Sequence, residues 1–326
     1  MPYRLPAEWE PQEAIQLTWP HNGTDWKPVI QEVTECYINI AREISKREKL
    51  WIVTPEPQKV ERLLRNHLDQ HSLARITYYR IPTNDTWARD HAFITLLPTD
   101  TTTDTPQPRH LLDFRFNAWG GKFEATLDND INRQLHAVHP TLSNDTYEDH
   151  LDFELEGGSI ESDGQGTILT TAQCNLNPNR RHATDDVEKE LKRRLHAQRI
   201  LWLHHGGLEQ DDTDAHIDTL ARLCPNDTII YSEGFPSMHT ELQAMRTPQG
   251  RPYHLVSVPK YYANFLIINR AVLVPTYAVP DDDQRALQAI STVFPDREII
   301  GIDCRILLTQ KGSLHCCTMQ YPLFIV

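Results

Sequence analysis

Short apolar runs rich in β-branched residues alternate with amphipathic stretches along the whole chain, and several of those runs come in pairs joined by tight turns. The strand candidates are Leu50 to Thr54, Ile76 to Ile81, Thr167 to Thr171, Arg199 to Leu203, Thr228 to Tyr231, Phe265 to Ile268, Val272 to Pro275, Glu298 to Ile302 and Ile306 to Thr309. Helical periodicity is clearest in Val29 to Lys46, where Ile30, Val33, Cys36, Tyr37, Ile40 and Ile44 recur at three- and four-residue steps. Pro57 to Gln70, Asp185 to Ala197, Thr213 to Leu223 and Asp281 to Val293 follow as further helices. The sequence ESDGQG ahead of Thr167 and INRA between Phe265 and Val274 supply hairpin turns. Hairpins mixed with helices make an α/β fold unlike a plain βαβ chain. No G-x-G-x-x-G or G-x-x-x-x-G-K-[ST] motif occurs, so no nucleotide cofactor is expected.

Charge narrows the partners. There are 32 Lys+Arg against 45 Asp+Glu, a formal balance of −13, which disfavours nucleic acid as a partner. The basic clusters, Lys189 to Arg194 and Arg180 with Arg181, are short and read as solvated faces. The best apolar stretch, Phe265 to Val274, is interrupted by Asn269 and Arg270, so no membrane span is expected. Charges and prolines fill the N-terminal segment where a signal peptide needs an apolar region, which makes a cytoplasmic location the expectation. The stretch Leu97 to Arg109, rich in Thr, Pro and Asp, reads as a surface loop. No break in composition divides the chain, and its length suits one large domain or two smaller ones. Six cysteines lack C-x-x-C or zinc spacing; most read as small buried hydrophobes, with room for one nucleophile.

Four separated segments combine reactive residues with turn chemistry. In NDTWARD, Trp87 precedes Asp90 by three, although a strand-end Asp is also a common cap. In LEGGSIESDGQG, Glu156 stands before Gly157 and Gly158, which allow close approach of backbone or ligand; an exposed hairpin is the alternative. The segment His204 to Asp218 carries His216 and Asp218 two apart, on one side of an extended chain, while Asp211 to Asp214 suit a helix N-terminus. In KGSLHCCTMQYP, Cys316 and Cys317 follow His315 after a glycine break, and Cys316 is the better nucleophile candidate.

One Cys, one His and three carboxylates suit thiolate attack on a planar cationic carbon flanked by nitrogens, as in a guanidinium. Carboxylates match its donors bidentately and an aromatic face covers its plane. Sulfur is the side-chain nucleophile soft and ionisable enough near neutrality.

The stretches LPAEWEPQEAIQLTWPHN, NDTWARD, LDFRFNAWGGKF, LEGGSIESDGQGTILTT, GLEQDDTDAHID, YYANFLIINRAVLVP and GSLHCCTMQYP resemble the agmatine deiminase family, a porphyromonas-type peptidylarginine deiminase family, from about Leu5 to the C-terminus. The resemblance implies a pentein, or α/β propeller, of five ββαβ units around a central site, formed by residues 1–326 as one catalytic domain. It implies Cys316 as nucleophile, His216 as general acid and base, Asp90 and Asp218 as guanidinium-binding carboxylates, Glu156 as the acid that binds a guanidinium nitrogen and orients His216, and Trp87 as the aromatic wall. Cys317 then reads as a packing residue. No metal and no cofactor are implied, the partner is a small cationic guanidino compound, and a homodimer is a default expectation.

Two positions depart from the family pattern: Ala215 stands where a Gly commonly precedes the catalytic His, and Lys311–Gly312–Ser313 is poorer in Gly than usual. The rival activity is deimination of arginine, free or peptidyl, which needs a basic residue at the opening; Arg115 and Arg89 are the candidates, while Trp119 is a guess for an agmatine tail. A non-catalytic guanidinium- or polyamine-binding protein is the reading from another class. A metal-dependent hydrolase built on the acids around His216 ranks below it.

Overall fold

The structure, a computed structural model, describes residues 2–99, 107–180, 186–207 and 211–323. Most of the expected loop from Leu97 to Arg109, together with Arg181 and Asp185, lies outside those residues.

Five small sheets share one construction. In each, a first strand runs antiparallel to a second, and the second connects through helical structure to a parallel third. The unit nearest the N-terminus contains β2 (Gln12–Thr18) and β3 (Lys49–Thr54) on either side of the helix Ile30–Ser45, and adds β4 (Ile76–Arg80). The next contains β5 (Ile94–Pro98), β6 (His110–Arg115) and β7 (Thr146–Glu154), with the two-residue strand β1 (Tyr3–Arg4) along its edge. Then come β8 (Ile160–Ser162), β9 (Thr167–Thr171) and β10 (Arg199–Leu203); β11 (Ala221–Cys224), β12 (Thr228–Ser232) and β13 (His254–Val258); and β14 (Leu266–Ile268), β15 (Ala271–Thr276) and β16 (Glu298–Asp303). The first strand of the N-terminal unit is supplied from the far end of the chain: β17 (Thr318–Pro322) pairs antiparallel with β2. That exchange gives five ββαβ units and locks the two ends together.

Local chemistry explains the elements. The helix Ile30–Ser45 buries Val33, Cys36, Tyr37, Ile40 and Ile44, the periodic stripe read from the sequence. Each large apolar side chain so buried contributes roughly 1.5–3 kcal/mol. The ESDGQG hairpin turns through Gly164 and Gly166 at φ 73° and 92°, while Asp163 Oδ1 accepts from the amides of Gln165 and Thr167. Apolar clusters sit between sheets and their helices, such as Ala286 and Ile290 against Phe265, Val272 and Val274. Among the described residues no helix is long and apolar enough to cross a membrane.

Two expected elements differ. Thr213 to Leu223 is not a helix: Asp214 and Ala215 take φ 62° and 68°, which halts helical winding, and a 3₁₀ turn at Ile217–Thr219 leads into β11. The Asp211–Asp214 acids cap no helix; Asp211 instead accepts from the amides of Thr213 and Ala215. Ile306 to Thr309 is not a strand, because its hydrogen bonds close locally: the Thr309 amide and hydroxyl both donate to Ile306 O, at 3.2 and 2.6 Å, within the 3₁₀ helix Leu307–Gln310.

Because β17 completes the first sheet, its buried Tyr321, whose hydroxyl bonds Gln16 Oε1 at 2.8 Å, carries weight for both chain ends. Tyr321→Ala is expected to cost about 3–5 kcal/mol, as truncation of a buried aromatic does, read from the urea-unfolding midpoint. A loss below about 1 kcal/mol would mean that the C-terminal strand is not integral to the N-terminal sheet.

Candidate active site

The chain enters the first strand of each unit through a segment that carries a polar residue inward. Asp90 lies four residues before β5, Glu156 four before β8, His216 and Asp218 five and three before β11, Asn264 two before β14, and Cys316 two before β17. All six are buried, and hydrogen bonds stitch the segments together. The Gly158 amide donates to Asp90 Oδ1 at 3.1 Å, Asn264 Nδ2 to the Asp218 carbonyl at 3.3 Å, and the His315 amide to Asn264 Oδ1 at 2.9 Å.

The five sequence-predicted polar site residues thus come together. Cys316 Sγ is 3.4 Å from Asn264 Oδ1 and 3.9 Å from Asp218 Oδ2. His216 sits between two acids, Nδ1 at 3.6 Å from Asp90 Oδ1 and Nε2 at 3.7 Å from Glu156 Oε2. Neither ring nitrogen has a hydrogen-bond partner among the described residues, and neither does Asp218 Oδ1. Gly158 is required for this packing, since a Cβ there would stand 2.6 Å from His216 Nδ1 and 2.8 Å from Asp90 Oδ1.

Cys316, Asp90 and Trp87 line a cavity of about 220 Å³, together with Trp119, Phe123, Lys311 and further acids at Asp25, Asp85 and Asp212. Trp87 is held by its indole N–H to Asp85 Oδ2 at 3.1 Å and abuts Trp26. Gly312 gives the ring its space, because a Cβ there would lie 2.2 Å from Trp87 Cζ3.

Electrostatics separates the acids by role. Glu156 is paired with Arg180, whose Nε is 3.0 Å from Oε1, and Asp218 with His315, whose Nδ1 is 2.8 Å from Oδ2. Burial opposes both charges, yet His216 with Arg180, and His315 with His216 and Arg222, hold Glu156 and Asp218 below the usual carboxylate range. Asp90 has no such Arg. Burial, reinforced by Asp218 and Glu156, pushes it up to about 6 against the opposing pull of His216, and the Trp119 indole N–H bonds its Oδ2 at 3.0 Å. Burial works against the His216 imidazolium, but Asp90 foremost, then Cys174 and Glu156, outweigh it and raise its pKa well above the ordinary value. Burial first, then Asp218 and Asp90, push the Cys316 thiol well above its ordinary pKa. The pocket therefore has anionic walls, one carboxylate whose nearest cation is the His216 imidazole and not an Arg, and a thiol whose ionisation is disfavoured unless positive charge arrives or the pH rises.

Arg89 and Arg115, the candidates for a basic group at the opening, are elsewhere. Arg89 is buried against Glu8 and Met319 beneath the site, and Arg115 is exposed with its Nε on Leu151 O. The one cation lining the cavity among the described residues is Lys311, paired with Asp212 at 3.0 Å. Sequence reasoning passed over Asn264, Cys174 and His315 as site residues and read Arg180 as part of a solvated face, whereas it is buried against Glu156; Asn264 had a signal, since it stands two residues ahead of a strand as Cys316 does.

Two clusters hold ligand types that a metal can use: Glu8, Glu161 and His315, and Glu156, Cys174 and His216. Arg222 already fills the first, with Nη2 at 2.8 Å from Glu8 Oε2 and Nε at 2.5 Å from Glu161 Oε1.

The family model for Porphyromonas-type peptidyl-arginine deiminase matches residues 4–322. The chain belongs to that family. A Lactococcus lactis relative named as a candidate agmatine deiminase is 30% identical, over 98% of this chain and 95% of its own. A Porphyromonas gingivalis crystal structure described as a candidate arginine deiminase superposes with a TM-score of 0.88 at 44% identity, covering 98% of both chains. An agmatine deiminase of C. jejuni with substrate bound gives 0.85 at 31% identity, over 98% and 96% of the two chains. The fold is the pentein propeller that the resemblance implied.

The same geometry orders the cysteines by reactivity. Cys316 is 6% exposed on the cavity wall, whereas Cys317 and Cys174 are fully buried. A small neutral alkylating reagent is expected to label Cys316 first in the native protein, slowly at neutral pH and faster as pH rises through its raised pKa. Mass spectrometry of the adduct checks this; first labelling at Cys317, or a rate already maximal at pH 6, would contradict it.

Proposed function

We propose that the protein is an agmatine deiminase, a hydrolase acting on the guanidino C–N bond, working as a single catalytic domain over residues 1–326. The observation that carries this reading is the pocket itself: a thiol, a paired imidazole and a carboxylate lacking an Arg partner around a space walled by Trp87. Guanidinium supplies the missing cation. In that reading it docks against Asp90 and Asp218 with its face on Trp87, and its charge lowers the pKa of Cys316.

The Cys316 thiolate attacks the guanidinium carbon. His216, as imidazolium, protonates the departing nitrogen, ammonia leaves, and an S-alkylthiouronium remains on the sulfur. Neutral His216 then takes a proton from water, whose oxygen attacks the same carbon and releases the ureido product, N-carbamoylputrescine. Glu156, anchored by Arg180, faces Nε2 of His216 and orients it. The geometry sets reacting groups near one another in advance of the chemistry, and that is the main gain.

Asp25, Asp85 and Asp212 around the cavity favour a substrate with a second cation, as in agmatine. A second reading, deimination of arginine, draws on Lys311, which can meet a carboxylate if it leaves Asp212, and on the name given to the Porphyromonas gingivalis structure. A cytoplasmic location and a symmetric dimer complete the proposal.

Ammonia release from agmatine, free arginine and an arginyl peptide, assayed on metal-free protein, distinguishes the readings: agmatine alone is expected to turn over. Turnover of arginine or peptide instead would keep the chemistry and move the specificity; inertness toward all three would leave a binding protein. Cys316→Ser is expected to lower kcat by more than about 10⁴-fold while guanidinium binding persists, and Cys317→Ser to stay active. Reversed phenotypes would reassign the nucleophile.

The pH profile follows from the two shifts. Activity rises as Cys316 ionises and falls as His216 loses its proton, and both pKa values lie above their ordinary positions. kcat/KM for agmatine is expected to be bell-shaped with its maximum on the alkaline side of neutrality. A rate climbing monotonically through both ionisations would refute the thiolate–imidazolium pairing.

A further inference from the structure

Close to His216 and Glu156 lies a second thiol. Cys174 is fully buried in a short helix, Ala172–Asn175, that follows β9, and the reaction proposed above gives its sulfur no task. Its Sγ, a carboxylate oxygen of Glu156 and a ring nitrogen of His216 all lie within 4.8 Å of one another.

The geometry points to a zinc-binding site formed by Glu156, Cys174 and His216, whose occupation takes His216 out of the reaction. Three features carry it. His216 is 1% exposed, yet neither ring nitrogen has a hydrogen-bond partner among the described residues. Its Nε2 stands 3.7 Å from Glu156 Oε2, too far for a hydrogen bond and close to the edge of a tetrahedron, roughly 3.3–3.6 Å, drawn by zinc–nitrogen and zinc–oxygen bonds of about 2.0–2.2 Å. The ligand set, one thiolate, one imidazole and one carboxylate, is of the borderline-soft kind that Zn²⁺ takes, with a fourth position left for water.

The surroundings supply the outer partners such a site needs. With Nε2 on the metal, the Nδ1–H of His216 faces Asp90 Oδ1 at 3.6 Å, the carboxylate–histidine–zinc arrangement. Arg180 braces the other two ligands, its Nε at 3.0 and 3.1 Å from the Glu156 oxygens and its Nη2 at 3.6 Å from Cys174 Sγ. The second cluster, Glu8 with Glu161 and His315, differs in its histidine, whose ring nitrogens are already taken by Asp218 and Glu8 while Arg222 bonds both acids. Loading is charge-balanced: Zn²⁺ replaces the thiol proton of Cys174 and one proton of the His216 imidazolium, and two protons pass to solvent. A zinc-bound His216 can neither protonate the leaving nitrogen nor accept a proton from water.

The binding arm of the test is independent of the proposed activity. Full-length Cys316→Ser protein, stripped of metal, is titrated with Co²⁺, and one equivalent is expected to bind with a thiolate-to-cobalt charge-transfer band. Adding Cys174→Ser should abolish the band and weaken Zn²⁺, measured against a chromophoric chelator, by more than about tenfold. A band that survives loss of Cys174, or vanishes with loss of Cys316 alone, would overturn the site. Should Cys174→Ser not fold, X-ray absorption of zinc-loaded Cys316→Ser protein decides: one sulfur with nitrogen and oxygen neighbours is expected, and a sulfur-free shell would overturn it. The inhibition arm rests on the deiminase reading. Zn²⁺ should silence wild-type ammonia release, a chelator should restore it, and Cys174→Ser should raise the half-inhibitory concentration more than about tenfold; equal sensitivity of the two proteins would overturn it.

Discussion

The guanidinium of Arg222, fully buried where the units meet, reaches four separate parts of the chain. It donates to Glu161 after β8 begins, to Glu8 ahead of β2, and to the carbonyls of Ala263 and Phe265 ahead of β14, and it approaches His315 Nε2 at 3.2 Å ahead of β17. Isolated, a buried charge of this kind would be expensive; bonded on every side, it ties the units together, and removal of one partner would strand the others. His315 carries the constraint upward. With one nitrogen on Glu8 at 2.7 Å and the other on Asp218 at 2.8 Å, it fixes the carboxylate that stands beside Cys316. The floor of the site is therefore an ionic lattice, and the reactive groups stand on it.

That lattice also sorts the charges above it. Glu156 and Asp218 have Arg180 and His315 as close partners, and against burial their pKa values stay below the usual carboxylate range. Asp90 faces only His216, which it shares with Glu156, and burial still pushes its pKa up to about 6, so it is the carboxylate best placed to meet a cation from outside. Burial first, then the same negative field, raises the pKa of the Cys316 thiol and disfavours its thiolate. In the proposed reaction, substrate binding and activation of Cys316 become one electrostatic event. The field that favours a guanidinium there favours any cation near His216, which is the physical link between the deiminase reading and the zinc site.

Much of the architecture was legible because periodicity is local. The Ile30–Ser45 stripe, the two hairpins and most strand runs follow from burial pattern and turn residues. Misreadings fell where local pattern and tertiary demand part. Thr213 to Leu223 has helical spacing, but the segment must deliver His216 and Asp218 to the centre, and Asp214 and Ala215 adopt left-handed backbone to do so. Arg180 holds that bend, bonding Asp214 Oδ2 at 2.5 Å and Thr213 O at 2.9 Å. Ala215 thus sits, with φ 68°, in a backbone conformation that a glycine would adopt free of that strain.

By itself the sequence determined the alternation of hairpins and helices, the acidic character, and a set of five candidate groups, Asp90, Glu156, His216, Asp218 and Cys316, because residue chemistry, turn signals and motif resemblance are all written along the chain. Only the tertiary structure decided what those groups are to one another. The strand-leading segments that carry them are separated by dozens of residues, and their distances arise when β17 pairs with β2 and the five units close. Partners such as Arg180 for Glu156, Trp119 for Asp90 and Cys174 for His216 have no sequence signature, since a hydrogen bond or a buried thiol depends on proximity in space, and proximity is set by the packing of the whole ring.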